Sequence, residues 1–148
     1  MPDTIRRMTG TILIILVSLL LLLALPAGAE YQADTDVVTD SETGLMWMQA
    51  AGTERDWQTA LAYCQDLNHH GHSDWRLPDL NELESLVDYT RYTSAIDPVF
   101  SCRSSIYWSS SPYAGNSGYA WLVSFYYGSA NYYSKDDKCY VRCVRGGP

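Results

Sequence analysis

Four cysteines, at 64, 102, 139 and 143, all follow an apolar run that addresses the chain to an oxidising compartment, and this limits what the chain can fold into. Arg6 and Arg7 precede the run, which extends from Ile12 to Leu25 with only Ser18 interrupting it; Ala27-Gly28-Ala29 then offers the small-residue pattern that a signal peptidase accepts. The run is fourteen residues long, whereas a membrane-spanning helix needs roughly 20. Residues 1–29 are therefore predicted to be a cleaved secretory signal, leaving a periplasmic or extracellular protein with no membrane insertion after cleavage. An even number of cysteines in that setting predicts two disulfides, for which three pairings exist. Zinc is the rival reading, but Cys139 and Cys143 lack a second matching pair.

The chain has 148 residues, 47% of them apolar, enough for one packed domain. Seventeen acidic side chains against ten basic ones give a charge of −7, and loss of residues 1–29 removes Asp3, Arg6 and Arg7. Such a surface repels DNA, anionic lipid and sulfated polysaccharides, so nucleic acid is excluded as a partner. Twelve tyrosines and five tryptophans stand against two phenylalanines. The bias favours rings that serve half-buried or at a binding surface.

Residues 30–36 read as a short polar lead. Val37–Asp40 and Gly44–Met48 then form two strands around a Ser41–Gly44 turn. Asp56 caps a helix in which Trp57, Ala60, Leu61, Cys64 and Leu67 recur at helical spacing, ending near Asn68 and placing Cys64 on the buried stripe. Asp79, with Glu82 three residues on, announces a second helix through Leu80, Leu83, Leu86 and Val87 to about Tyr89. From Tyr107 the spacing changes to alternation. Trp121, Val123 and Phe125 are assigned to the core face of one strand, and Cys139–Arg145 to a single closing strand whose two cysteines share a face.

Trp75-Arg76-Leu77-Pro78 leading into Asn81-Glu82-Leu83, then Tyr107-Trp108-Ser109-Ser110-Ser111, Ala120–Phe125 and Tyr140–Gly146, together with Thr39–Trp47, resemble the Lcl C-terminal domain family over roughly residues 37–147. The family occurs in exported bacterial proteins and resembles a variant of the C-type-lectin fold, related to the formylglycine-generating-enzyme fold. The resemblance implies an α+β domain: two helices packed on a small, twisted, mainly antiparallel sheet, with long loops and meeting chain ends. It also implies the disulfide pairing, Cys64 with Cys143 and Cys102 with Cys139. Trp47, Trp75, Trp108 and Trp121 fall on its motif positions and are expected in the core, and Arg76 and Arg142 are expected to be structural hydrogen-bonders.

The sequence offers no recognisable catalytic constellation. His69-His70-Gly71-His72 lacks the spacing that places two imidazoles on one helical face, and Gly115-Asn116-Ser117-Gly118 is not a nucleophile elbow. Glu82, Glu84 and Asp88 read as a solvated helix face. Asn131, Asp136 and Asp137 offer a few oxygens for calcium, but the calcium-dependent sugar motifs of lectins are absent. No enzyme activity, cofactor or metal is expected.

The candidate ligand-binding residues are Tyr113, Asn116, Tyr119, Ser124, Tyr126, Tyr127, Asn131, Tyr132, Tyr133 and Lys135, a composition antibody loops also favour. In C-type-lectin folds this region forms the ligand face. The expected function is an exported, non-catalytic recognition or adhesion module whose partner is a glycan or surface protein. The alternative is a structural or accessory envelope protein that turns the same face to a partner subunit and has no soluble ligand. Nothing in the sequence fixes an oligomeric state.

Overall fold

The computed structural model describes residues 31–146; the predicted signal, residues 1–29, lies outside them. The described chain forms two sheets and two helices. One sheet has the strand order β1-β2-β3-β9, from β1 (Tyr31–Asp34), β2 (Val37–Asp40), β3 (Met46–Met48) and β9 (Val144–Arg145). The other has the order β4-β8-β5-β6-β7, from β4 (Gly52–Arg55), β8 (Cys139–Val141), β5 (Ile106–Pro112), β6 (Tyr119–Ser124) and β7 (Ser129–Ser134). The β5–β8 pair is parallel and the remaining ladders are antiparallel. Pairing of β3 with β9, Trp47 opposite Val144, draws the two ends of the domain together.

The opening hairpin follows from its turn chemistry. The Asp40 carboxylate, almost fully buried, accepts the Glu42 N–H at 2.8 Å and the Thr43 hydroxyl at 2.6 Å, and Gly44 takes φ 72°. The expected polar lead is instead the edge strand β1, paired with β2 along its whole length. An edge strand needs only backbone complement and one anchor, and Tyr31, edge-on to Phe100 at 5.1 Å, supplies it.

Helix α1 (Trp57–Gln65) starts where Asp56 accepts the Thr59 N–H at 2.9 Å, and buries Ala60 and Cys64. It ends three residues before the expected Asn68. The chain then folds back through reciprocal His69–His72 backbone bonds, with His70 and Gly71 at positive φ. Helix α2 (Leu80–Ser85) has the expected capping box between Asp79 and Glu82. It stops at Ser85, short of the expected Tyr89, but Leu86 and Val87 stay buried in the turns that follow. Its N-terminus is tied to β5 by the Leu80 N–H to Ser111 Oγ at 3.0 Å. Glu82 is no solvated carboxylate: Arg76 donates to its two oxygens at 2.7 and 2.6 Å, a bidentate pair that accounts for Arg76.

Both faces of the five-stranded sheet are covered, so neighbouring residues of β6 enter different cores. Val123 and Phe125 join Trp47, Leu83, Leu86 and Tyr107 on the α2 side. Ala120 and Leu122 join Trp75, Trp108, Ala60 and Cys64 on the α1 side. Alternation therefore does not separate an inner from an outer face on this strand. Three of the four motif tryptophans, Trp47, Trp75 and Trp108, are buried as expected, whereas Trp121 is only partly so.

The closing segment is two strands in two sheets, not one. Between them Arg142, fully buried, donates to the Met48, Gln49 and Ser101 carbonyls and fastens the junction. Cys143 joins Cys64 of α1 in the expected disulfide, closing a separation of 79 residues; such a bridge contributes about 2–4 kcal/mol. The expected Cys102–Cys139 bridge is absent, both thiols being free. The reason is strand parity: Cys139 points into the α1-side core, while its neighbour Tyr140 packs toward the α2 side, where Cys102 lies against the Tyr107 hydroxyl at 3.2 Å. Burial pushes the Cys139 thiol up to about 12.

Candidate functional site

The β6–β7 hairpin is in register without a break and sets Trp121 opposite Tyr132 and Tyr119 opposite Ser134. Their rings emerge on one face. The chain after β5 brings a third ring to them: Tyr113 donates its N–H to the Tyr119 carbonyl at 3.0 Å, and Asn116 N–H returns to the Tyr113 carbonyl at 3.3 Å. The Tyr113 and Tyr132 rings lie parallel, 4.0 Å apart and 5° from coplanar orientation. Trp121 meets both edge-on, at 5.4 and 5.5 Å, and Tyr119 meets Tyr132 at 6.1 Å. Such offset and edge contacts add about 0.5–1.5 kcal/mol per pair beyond burial and fix the rings as a platform.

Gly115 makes the platform possible. A Cβ at that position falls 2.7 Å from the Tyr113 ring, so any larger residue displaces it. Asn116, expected to meet ligand, instead accepts the Gly118 N–H at 2.9 Å and shapes the turn. Lys135 is likewise engaged, donating to the Ser117 carbonyl at 2.8 Å with its ammonium 4.2 Å from the Trp57 ring centroid. The Tyr132 hydroxyl beside it holds the Tyr113 phenol above the usual tyrosine range.

The other expected residues are dispersed. Tyr133 pairs with Ala120 and Asn131 with Leu122, placing both on the opposite face, and the Asn131 side chain accepts the Tyr132 N–H at 2.8 Å. Ser124 is buried and accepts the Tyr127 N–H at 3.3 Å. Tyr126 and Tyr127, edge to face at 4.7 Å, sit at the β6–β7 turn, the far end of the strand from Tyr119. Of the ten residues, Tyr113, Tyr119 and Tyr132 share the platform, with Asn116 and Lys135 bracing its loop. Trp121 completes it and was expected in the core. Its spacing from Tyr119 was the available signal, since positions two apart share a strand face.

Among the described residues no group of three His, Cys, Asp or Glu side chains is arranged to hold a metal. The histidine cluster is occupied by carboxylates: His70 Nδ1 lies 3.0 Å from Asp36 and its Nε2 3.6 Å from Asp34, with His69 3.2 Å from Asp36. No helix among the described residues is long and apolar enough to cross a membrane.

The fold and the platform define a small, disulfide-linked α+β domain that presents a set of mutually packed aromatic rings at one end of its larger sheet. Residues 36–145 match the Lcl C-terminal domain model, and the chain belongs to the Lcl C-terminal domain family. None of the curated proteins compared with it matches.

Proposed function

We propose that this chain is an exported, non-catalytic recognition module of C-type-lectin-like fold that binds a glycan or surface protein through the Tyr113, Tyr119, Trp121 and Tyr132 platform. The observation carrying this reading is the parallel Tyr113–Tyr132 stack, edged by Trp121, with Tyr132 still 41% exposed. Preorganised rings lose little entropy when a flat apolar face, such as that of a sugar ring, packs on them. The Cys64–Cys143 disulfide suits an oxidising compartment, in keeping with the signal read at residues 1–29. Meeting chain ends and a helix bridged to the closing strand agree with the C-type-lectin-like fold that the family resemblance implies.

The test is binding of the purified, oxidised protein to a broad array of glycans and surface proteins, with Trp121→Ala/Tyr132→Ala beside it. Tyr126→Ala, off the platform, is the control. Hits lost in the double variant and kept in the control are expected and name the ligand class. Silence on every surface, with a stable partner subunit co-purifying through the same residues, would replace this reading with the accessory envelope role.

A further inference from the structure

Arg142 fastens the junction of the two sheets, but the three carbonyls it holds leave its charge without a counter-ion. The side chain is fully buried, no carboxylate pairs with it among the described residues, and its Nε has no hydrogen-bond partner. Burial pulls the guanidinium below its ordinary range, and the side chains that work against burial are Cys102 and Tyr107. A buried cation that lacks an anion is costly, so this one favours negative charge on a neighbour.

Cys102 is the neighbour placed to carry that charge and to use it. Its free thiol, on a partly exposed residue, lies 3.2 Å from the Tyr107 hydroxyl and 3.2 Å from the Arg103 carbonyl, while Arg142 holds the carbonyl of Ser101, one residue before it. Burial, and then the contact with Cys102, pushes the Tyr107 phenol far above the tyrosine range, so it keeps its proton and can turn it toward sulfur. A partly exposed sulfur beside a cation is the setting of reactive cysteines. Room for a reaction partner adjoins it. A cleft of about 340 Å3 is lined by residues 51–54, Arg103 and Tyr140. Tyr140 leans on Tyr107 at 5.6 Å, so the cleft and the thiol are neighbours. Among the described residues, the side chains of Arg103 and Glu54 make no hydrogen bond or ion pair; the Arg103 guanidinium lies 5.9 Å from the Tyr140 ring centroid. One free cation and one free anion on the walls complement a zwitterion, the α-amino-acid head of a cysteine-type thiol.

We infer that Cys102 is a thiolation site: it exchanges with the disulfide of a small α-amino-acid thiol, whose body enters the cleft bounded by Glu54, Arg103 and Tyr140. The Cys102 thiolate attacks one sulfur of that disulfide. A new sulfur–sulfur bond forms, the old one breaks, and the departing half leaves as a thiolate that takes up the proton Cys102 gave. Cys102 is thereby oxidised and the departing half reduced. The site shares no residue with the platform and stands or falls independently of it. The test incubates the Cys64–Cys143-bridged protein with L-cystine and with uncharged hydroxyethyl disulfide, and locates the adduct by peptide mass mapping. Each rate is divided by that of N-acetyl-cysteine methylamide with the same reagent.

An adduct at Cys102 is expected, with the buried Cys139 reacting at least about tenfold more slowly. After normalisation L-cystine is the preferred reagent, and Arg103→Gln, on the exposed wall of the cleft, lowers that preference by up to about fivefold while leaving the rate with the uncharged reagent unchanged. Arg142→Met slows both reagents alike; should that variant not fold, the Arg103→Gln comparison decides. Cys102→Ser abolishes the adduct, and Trp121→Ala/Tyr132→Ala changes nothing. The inference is overturned if Cys102 in the purified protein is already bonded to Cys139 or to a second copy of the chain, if Cys139 reacts as fast, or if Arg103→Gln leaves the preference as it was.

Discussion

Tyrosines gather at both ends of α2, and the two gatherings are built differently. At the N-terminal end, where Leu80 is tied to Ser111 of β5, the nearby rings of Tyr113, Tyr119, Trp121 and Tyr132 pack on one another. At the C-terminal end, Tyr89 and Tyr92 stand 77% and 82% exposed, and Tyr89 shares a shallow cleft with the Asp88 and Asp97 carboxylates. Rings that fix one another present a shaped surface, whereas rings held apart beside charges present an electrostatic one. Composition makes these regions look alike, and only the register of β6 with β7 and the short length of α2 separate them.

Because α2 lies between the two, its core residue is where both break together. Leu83 is fully buried within the cluster that also holds Leu86, Val123 and Phe125. Leu83→Ala is expected to cost about 2–5 kcal/mol. Thermal or urea unfolding measures that loss, and amide exchange should report increased opening both at Ser110–Tyr113 and at Asp88–Ala95. Opening confined to one end would mean that α2 does not couple them.

The next largest effect is local. Asp79 accepts the Glu82 N–H at 2.8 Å at the N-terminus of α2, and Asp79→Ala is expected to cost about 1 kcal/mol. Amide exchange should show it loosening the platform end while leaving the Asp88–Ala95 segment unchanged. Equal disturbance of both ends would dissolve the distinction between them.

Acid should act on the same end. Arg76 hydrogen bonds hold the Glu82 carboxyl below its ordinary value of 4.5. A carboxyl depressed in the folded state contributes stability that is complete above the unfolded value and is lost as pH falls through the folded one. The melting temperature should therefore be flat above about pH 5 and fall below it. Asp56, Asp74 and Asp88 are also held low and share in that fall. Glu82→Gln isolates its part, giving a shallower acid limb than the parent protein.

The sequence carried the fold further than it carried the site, for a physical reason. Caps and disulfide-bearing stripes are local patterns, so Asp56, the Asp79–Glu82 box and the burial of Cys64 could be read directly. The Cys64–Cys143 pairing came from family resemblance, because no local pattern selects among three pairings. What failed was non-local. Arg142 splits the last strand between two sheets, and Cys139 and Cys102 end on opposite sides of β8, neither of which spacing encodes. Trp121 lies outside the core, which was not legible because alternation assigns a face but does not say where the covering helix stops. The composition of the tyrosine-rich stretch pointed to a surface, yet Tyr132 and Tyr133 are adjacent in sequence and face opposite ways.

The smallest effect tests whether the platform rings are fixed in solution as a unit. The Tyr113 phenol is held high chiefly by the neighbouring Tyr132 hydroxyl, reinforced by the repulsion that two adjacent phenolates would feel. Tyr132→Phe keeps the ring and its stacking area but removes the hydroxyl. A spectrophotometric titration should then show one fewer tyrosine and Tyr113 returned toward the ordinary range near 10. Gly115→Ala should do the same without removing any tyrosine, because the added methyl displaces the Tyr113 ring from its partner. Tyr89→Phe, at the other end of α2, should remove one titrating group and shift none of the rest. If Tyr113 titrates normally in the parent protein, the rings are not held together and the two ends of α2 differ only in how many tyrosines they carry.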